Sequence, residues 1–448
     1  MELDPNAIIH IDKRAAEIVL LFKEISLPTF SLEKTGFPQP FTEGEITEKD
    51  IVGEVKISLV NAIGEDEFLY FLDKEKKPQG IRDERLRQFR KFIEQIEKAC
   101  KYKVSTDYLT SLLLEYCKSE HNSPNHTVNF SKVLLERLAV DIRDYTIILP
   151  ISNLSVEIEI TLGEVKIVPL SQAEIESWFK PAHNDDSEAK KLLRKSQIEE
   201  VQKEHQGGAA AKVNIVAESK AANREAREKV EKALALLRLY CSANFHPEVA
   251  SYVNIWGTSK IPEFKTFFYR EDSGIQIQAG ILKNTEIFWR ISGEMLIQMN
   301  QDGLGRIVQI HQKQNKSEFE KLLLETIWLY SQSNLKANTY EKLLYMLAAL
   351  EKLLIKDSSE PLQQNISERL AFLIAPTLES RKAVIENLKK IYAIRSSFFH
   401  HGKKIENTDS MIIFMQNIWS LLMNLINQSD KFISKESLLS LVEDKKLS

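Results

Sequence analysis

"ESRKAVIENLKKIYAIRSSFFHHG", residues 379–402, reads as one long helix that runs to about Phe399 and closes in a turn at Gly402. Upstream, "ISERLAFLIA" forms a shorter helix that stops at Pro376, where the ring removes an amide donor. Before it, "NTYEKLLYMLAALEKLLI" opens with Asn338 three residues ahead of Glu341, a capping-box-like start. The same segment sets Leu343, Leu347, Leu350 and Leu354 on one stripe. Downstream, Asp409 suits the cap of a fourth helix through "SMIIFMQNIWSLLMNLI". Four helices with short connections make a bundle within residues 336–448.

Away from this bundle the pattern changes twice. Residues 1–140 are mainly helical, as in "ERLRQFRKFIEQIEKACKY" at 84–102, with a proline- and glycine-bearing loop at 28–47. From about 145, "SVEIEI" and "EVKIV" alternate apolar with polar residues around Leu162-Gly163, which predicts strands joined in a hairpin. A charged stretch at about 182–211 reads as a solvated helix and flexible linker. "KVNIVAES" (212–219) predicts another strand, "AREKVEKALALLRLYC" (226–241) an amphipathic helix, and 264–292 several short strands. The expected class is α+β, predominantly α. A helical N-terminal region (1–140) precedes a mixed α/β middle domain (141–335) and the helical bundle (336–448).

Composition narrows the function. With 448 residues, 43% apolar and 28% charged, the chain can bury real cores. Cys100, Cys117 and Cys241 are far apart and form no CxxC, so neither a disulfide framework nor a sulfur-rich zinc site is expected. The N-terminus lacks the pattern of a signal peptide, and the most apolar segment, 412–426, is interrupted by Gln416, Asn417 and Asn424. No membrane association, a cytoplasmic location, and neither metal nor cofactor are the expectations. The net charge of −4 requires that any nucleic-acid binding come from a local patch. No GxxxxGK[ST] occurs, so nucleotide hydrolysis has no support.

Such a patch exists. Between 381 and 404 seven basic residues face a single acid, Glu386. Lys389, Lys390, Lys403 and Lys404 are the candidate RNA-binding cations within it. Arg395 precedes His400 and His401 by five and six residues, ahead of Gly402. Spacing alone is weak, because Arg306 also stands five residues before His311 without a basic cluster or turn glycine. In context the chemistry is coherent. A histidine can take a proton from a ribose 2′-hydroxyl or give one to a leaving 5′-oxygen. A guanidinium can hold the phosphate and neutralise charge developing on it. Together they suit metal-free RNA transesterification, leaving a 2′,3′-cyclic phosphate and a 5′-hydroxyl. In-line chemistry needs both a base and an acid, which a two-fold dimer apposing the same helix would supply.

At these residues the chain resembles the HEPN domains, and within them the Apea-like subgroup associated with bacterial anti-phage proteins. The resemblance covers roughly 336–430, through "MLAALEKLL", "ISERLAFLI" and "LKKIYAIRSSFFHHG". HEPN ribonucleases carry an arginine, usually followed by a polar residue, and a histidine after four to six intervening positions. Arg395, Ser396 and His400 match, and His401 fits the looser spacing. The resemblance implies a HEPN-type helical bundle that dimerises at its motif and acts as a metal-independent endoribonuclease. Arg395 would then bind phosphate, His400 act as acid or base, and Ser396 orient one of them. Glu351 and Arg369 match recurrent polar positions, where a salt bridge inside the bundle is the competing reading. Gly402 stands where toxin versions carry a tyrosine two residues after the histidine, so control by modifying such a tyrosine is not expected. The implied partners are an RNA substrate such as tRNA, a second copy of the chain in a homodimer or higher even oligomer, and a phage-derived trigger or regulator. A non-catalytic HEPN module that binds RNA, a nucleotide or a protein is the alternative, and a helical adaptor a third.

Overall fold

The computed structural model describes residues 3–25, 68–123, 128–179, 188–258, 263–270, 274–281, 288–357, 359–402 and 408–447. The loop expected at 28–47 therefore lies outside the described residues. Within them fifteen α-helices outweigh twelve strands, so the chain is α+β and predominantly α. Packing divides it into two compact units, Met1–Tyr145 with Ile215–Arg224, and Thr146–Asn214 with Glu225–Ser448.

In the first unit Asp4 accepts the amides of Asn6 and Ala7, and Pro5 starts α1 (Pro5–Val19). A small antiparallel sheet follows, ordered β1 (Lys23–Glu24), β3 (Pro78–Arg82), β2 (Phe68–Leu72). Then come α2 (Asp83–Ala99), α3 (Thr106–Asn122) and α4 (Phe130–Asp141). Leu86, Phe89, Ile93 and Ile96 recur at helical spacing on α2 and bury that face against Leu109, Leu113, Phe130 and Leu134.

The second unit takes in β4 (Arg143–Ser152) from Thr146 on, then β5 (Leu154–Val156), β6 (Ile160–Leu162) and β7 (Val165–Pro169). β6 and β7 pair antiparallel with Leu162 opposite Val165, and Gly163 takes the left-handed φ of +73° that the tight turn demands. "SVEIEI" is not one strand. β5 pairs parallel with a later strand, Trp289–Ile291, and the Glu157 amide continues that ladder to the Ile291 carbonyl. Only after this does the chain turn to pair with β7, so the alternation bridges two different partners.

Then follow α5 (Gln172–Trp178), α6 (Glu188–His205), β8 (Ala209–Ala217) and α7 (Ser219–Arg238). Ala209, Ala210 and Ala211, at the end of the charged stretch, begin β8 and are buried, because they pair with Val168 and its neighbours on β7. β9 (Asn254–Ile255) completes a five-stranded sheet ordered β6-β7-β8-β4-β9. β10 (Glu263–Arg270) and β11 (Gly274–Ile281) form a separate hairpin, and β12 (Trp289–Ile291) leads into α8 (Gly293–Gln301) and α9 (Leu304–Gln312).

The helical end of this unit contains α10 (Glu318–Ser333), α11 (Thr339–Leu354), α12 (Leu362–Ile374), α13 (Leu378–His401), α14 (Thr408–Asn427) and α15 (Lys435–Leu447). Four helices were expected from the sequence between 336 and 448. The bundle adds α15 behind them and α10 in front, because α15 packs on α10 and α12 while α10 packs along α11. Asn338 accepts the amides of Tyr340 and Glu341, which starts α11 as its position suggests. Leu343, Leu347, Leu350 and Leu354 are all buried. Lys342 is fully buried as well, and its ammonium donates to the carbonyls of Ala243, His246 and Val249 at 3.1, 3.0 and 2.6 Å. All three ammonium protons are thus met by backbone oxygens, and the loop after α7 is fastened to α11. No described helix is long and apolar enough to cross a membrane.

Candidate functional site

α13 carries the site residues and has a defined beginning and end. Thr377 and Ser380 close its N-terminus with a reciprocal capping box. Gly402 ends it in the left-handed conformation, φ 62°, with its amide donating to the Phe398 carbonyl at 2.8 Å. His400 and His401 therefore lie in the last helical turn, one step earlier than a turn after Phe399 would place them. Both are exposed, with ring centres 6.3 Å apart.

The buried stripe of α13 runs through Val384, Leu388 and Ile391, and the next position along it is Arg395. Arg395 consequently points toward α11, where its Nη1 donates to Glu351 Oε1 at 3.1 Å. The Tyr392 hydroxyl donates to the same oxygen at 3.2 Å. Burial pushes the Tyr392 phenol up, and the Glu351 carboxylate pushes the same way, so the phenol stays a donor at neutral pH. One carboxylate oxygen thus fixes both the phenol and the guanidinium. Arg395 is not sealed in, since 36% of its side chain meets solvent. Phe398, one turn on, stacks on Tyr340 of α11 at 3.7 Å between ring centres.

His400 faces elsewhere. At 3.6 residues per turn it stands roughly 140° around the helix from Arg395, and His401 about 120° the other way. Ser396 and His400, four residues apart, share the outward face, and Lys389 falls on it one helical repeat earlier. Lys390 is exposed 3.8 Å from Glu386. Arg381, counted in the basic cluster, donates to the carbonyls of Ala375 and Pro376 and covers the Phe372 ring, so it ties the α12 to α13 connection. Lys403 and Lys404 lie outside the described residues.

Arg369 takes no part in this group. It donates to both carboxylate oxygens of Glu360 at 2.6 and 2.9 Å and to the Leu354 carbonyl at 2.7 Å, with its side chain 8% exposed. These hydrogen bonds hold the Glu360 carboxyl down to about 2. Arg369 and Glu351 therefore belong to two separate ion pairs. The Arg306 and His311 spacing does not make a site either: Arg306 donates to Ser429 Oγ at 3.2 Å and pairs with Asp430.

The structure brings together Arg395 and Glu351, adds Tyr392, and leaves His400 with Ser396 on another face. Tyr392 was missed in the sequence although it lies within the same quoted segment; its signal was the three-residue spacing to Arg395, which puts both on one side of a helix. A guanidinium held by one carboxylate oxygen keeps most of its five N–H donors for an anion. Exposed imidazoles at a capped helix end can exchange protons with a bound molecule. Among the described residues no group of three or more His, Cys, Asp or Glu is placed to hold a metal ion. No family model matches the chain, and no curated protein or solved structure matches it.

Proposed function

We propose that the C-terminal bundle is a HEPN-type ribonuclease module, a metal-independent endoribonuclease that acts in anti-phage defence or as a toxin-like effector. The observation that carries the reading is the state of Arg395: aimed by Glu351 and Tyr392, yet 36% exposed, on the same helix as two exposed histidines. In this mechanism Arg395 binds the scissile phosphate and offsets charge in the transition state. One histidine removes the 2′-hydroxyl proton, and a second protonates the departing 5′-oxygen. His400 takes this role ahead of His401 because Ser396 shares its face and can orient the imidazole. Lys389 and Lys390 draw the RNA backbone along α13.

A single copy turns Arg395 and His400 away from each other, so one chain does not clamp one phosphate between them. A two-fold pair of α13 helices would set His400 of each copy toward Arg395 of the other and supply two of each group. The active species in this proposal is the homodimer or a higher even oligomer. The test is cleavage of RNA, tRNA included, by the purified chain in EDTA, with product ends analysed. Cyclic-phosphate ends from the wild type, and none from Arg395→Ala or His400→Ala at unchanged oligomeric state, are expected. Undiminished cutting by both variants ends the proposal.

A second reading has its own observation. Lys389, Ser396 and His400 share an outward face, while Arg395 is already engaged by Glu351. That face would bind RNA without cutting it. Steeply salt-dependent binding with no cyclic-phosphate ends would favour this module over the enzyme.

A further inference from the structure

A cleft of about 560 Å³ opens in the second unit between α7, α10 and the connection from α9 to α10. That volume is in the range of small-molecule sites. Its floor is apolar. Leu236 of α7 and Ile327 of α10 are buried there, and Leu324 is partly so. Trp328 stands beside them with 46% of its surface exposed. An indole left this open beside an apolar floor offers a flat ring a face to lie against.

The rim is basic. Lys232, Lys316 and Lys321 line the cleft, and among the described residues no carboxylate pairs with any of them. The acid in the lining, Glu325, is already held by Lys352 at 2.8 Å. His311 lies at the same end, where burial, then Lys316, then Lys232 hold its imidazole below the ordinary value. Lys316 and Lys232 thus both lie within electrostatic reach of the His311 ring, and both line the same cleft. Ammonium groups gathered over a low-dielectric floor repel until an anion lies between them. The N-terminus of α10 is not available for that anion, because Ser317 and Glu320 close it with a capping box. The lysine side chains must meet the charge.

Scale narrows the ligand further. Lys321 and Trp328 are seven residues apart on α10, two turns or about 10 Å along the axis. We propose that this cleft binds a small aromatic anion, a flat ring system lying against Trp328 and Leu324 with a sulfonate, phosphate or carboxylate among Lys232, Lys316 and Lys321. The cleft shares no lining residue with Arg395, Glu351 or Tyr392, and the proposal does not depend on the ribonuclease reading.

Fluorescence titration of the full chain tests the proposal with two probes that differ by one group. 2-Anilinonaphthalene-6-sulfonate carries the anion, and N-phenyl-2-naphthylamine is the same ring system without it. One saturable site for the sulfonate is expected, weakened at least tenfold in Trp328→Ala. Trp328→Leu, which keeps apolar bulk without the flat face, checks that the loss comes from the ring rather than from unfolding. The doubly substituted Lys232→Gln/Lys321→Gln chain should also lose about tenfold for the sulfonate, with the neutral ring unaffected. Equal sulfonate affinity in wild type and variants, or equal affinity for the two probes, overturns the proposal. Displacement by 1-naphthyl phosphate assigns the anion as a phosphate and displacement by 1-naphthylacetate as a carboxylate; displacement by neither overturns it.

Discussion

Two arginines of the same bundle each meet a glutamate, and the two pairs are built to different ends. Arg369 gives two hydrogen bonds to Glu360 and a third to the Leu354 carbonyl, with 8% of its side chain exposed. Arg395 gives Glu351 one hydrogen bond at 3.1 Å and keeps 36% of its side chain in solvent. The first guanidinium has both terminal nitrogens bound by the chain, with Nε buried and without a partner, and fixes the end of α11 to α12. The second is aimed but only partly engaged. Burial behind several bonds marks a structural arginine, and a single bond with a set direction and an open side marks one available to a ligand.

Substituting each arginine is the strongest way to break this comparison. Arg369→Ala leaves Glu360 and the Leu354 carbonyl without their partner in a largely buried place, so a loss of about 3 kcal/mol is expected in urea denaturation. Arg395→Ala removes a pair that is partly in water and should cost under about 1 kcal/mol. The reverse order would show that Arg395, not Arg369, holds the bundle together.

Activity sharpens the same contrast. Arg395→Ala should slow RNA cutting at least about a hundredfold, the scale for removing one preorganised donor from a charged transition state. Arg395→Lys should not rescue it, because a point charge replaces a planar fork. Glu351→Gln keeps the shape but weakens the hold on Arg395, and about a tenfold lower rate is expected from misaimed donors. Rates measured with EDTA on one defined RNA check all three. Glu351→Gln cutting at the wild-type rate would mean that the carboxylate has no positioning role.

The ion pair at Glu360 adds a pH test with a definite sign. Its carboxyl is held at about 2 in the folded chain, below its ordinary 4.5. The stability it contributes is therefore present above about pH 4.5 and lost as pH falls toward 2. Wild type and Arg369→Ala should differ most near neutral pH and converge over that window, as read from denaturation midpoints across a pH series. A gap that stays constant down to pH 2 would mean that Arg369 stabilises through its backbone contact alone.

These differences were only half legible in the sequence. Helices α11 to α14 could be read because leucines recur at helical spacing and because Asn338, Pro376 and Gly402 mark ends by local chemistry. Arg395 and His400 could be placed near the end of one helix for the same reason. Which glutamate meets which arginine could not, since Glu351 and Arg395 are 44 positions apart and only packing of α11 on α13 decides the partner. Glu360 lies in the connection before α12, where no periodicity says which way a side chain turns. The alternation through Glu157 to Glu159 misled for a related reason: period two reports exposure on each side of a strand but not that the pairing strand changes. α15 has charged residues at both ends around Leu438, Leu439 and Val442, too short an apolar stripe to stand out until the bundle buries it.

The smallest expected effect separates aiming from engagement. Tyr392 and Arg395 donate to the same oxygen of Glu351, at 3.2 and 3.1 Å. If RNA phosphate draws the guanidinium away, Glu351 loses its cation while still half-buried, and the phenol is the donor that remains. Tyr392→Phe removes that donor, so releasing Arg395 leaves a carboxylate with one fewer hydrogen bond, at a cost of about 1 kcal/mol or less. RNA affinity should then fall a few fold, read by fluorescence anisotropy at low salt, with the fold and oligomeric state unchanged. Glu351→Gln should move affinity the other way, since a neutral amide competes less with phosphate for the guanidinium. If both variants bind RNA as the wild type does, Arg395 keeps its hold on Glu351 throughout binding, and the outward face of Lys389, Ser396 and His400 carries the contact alone.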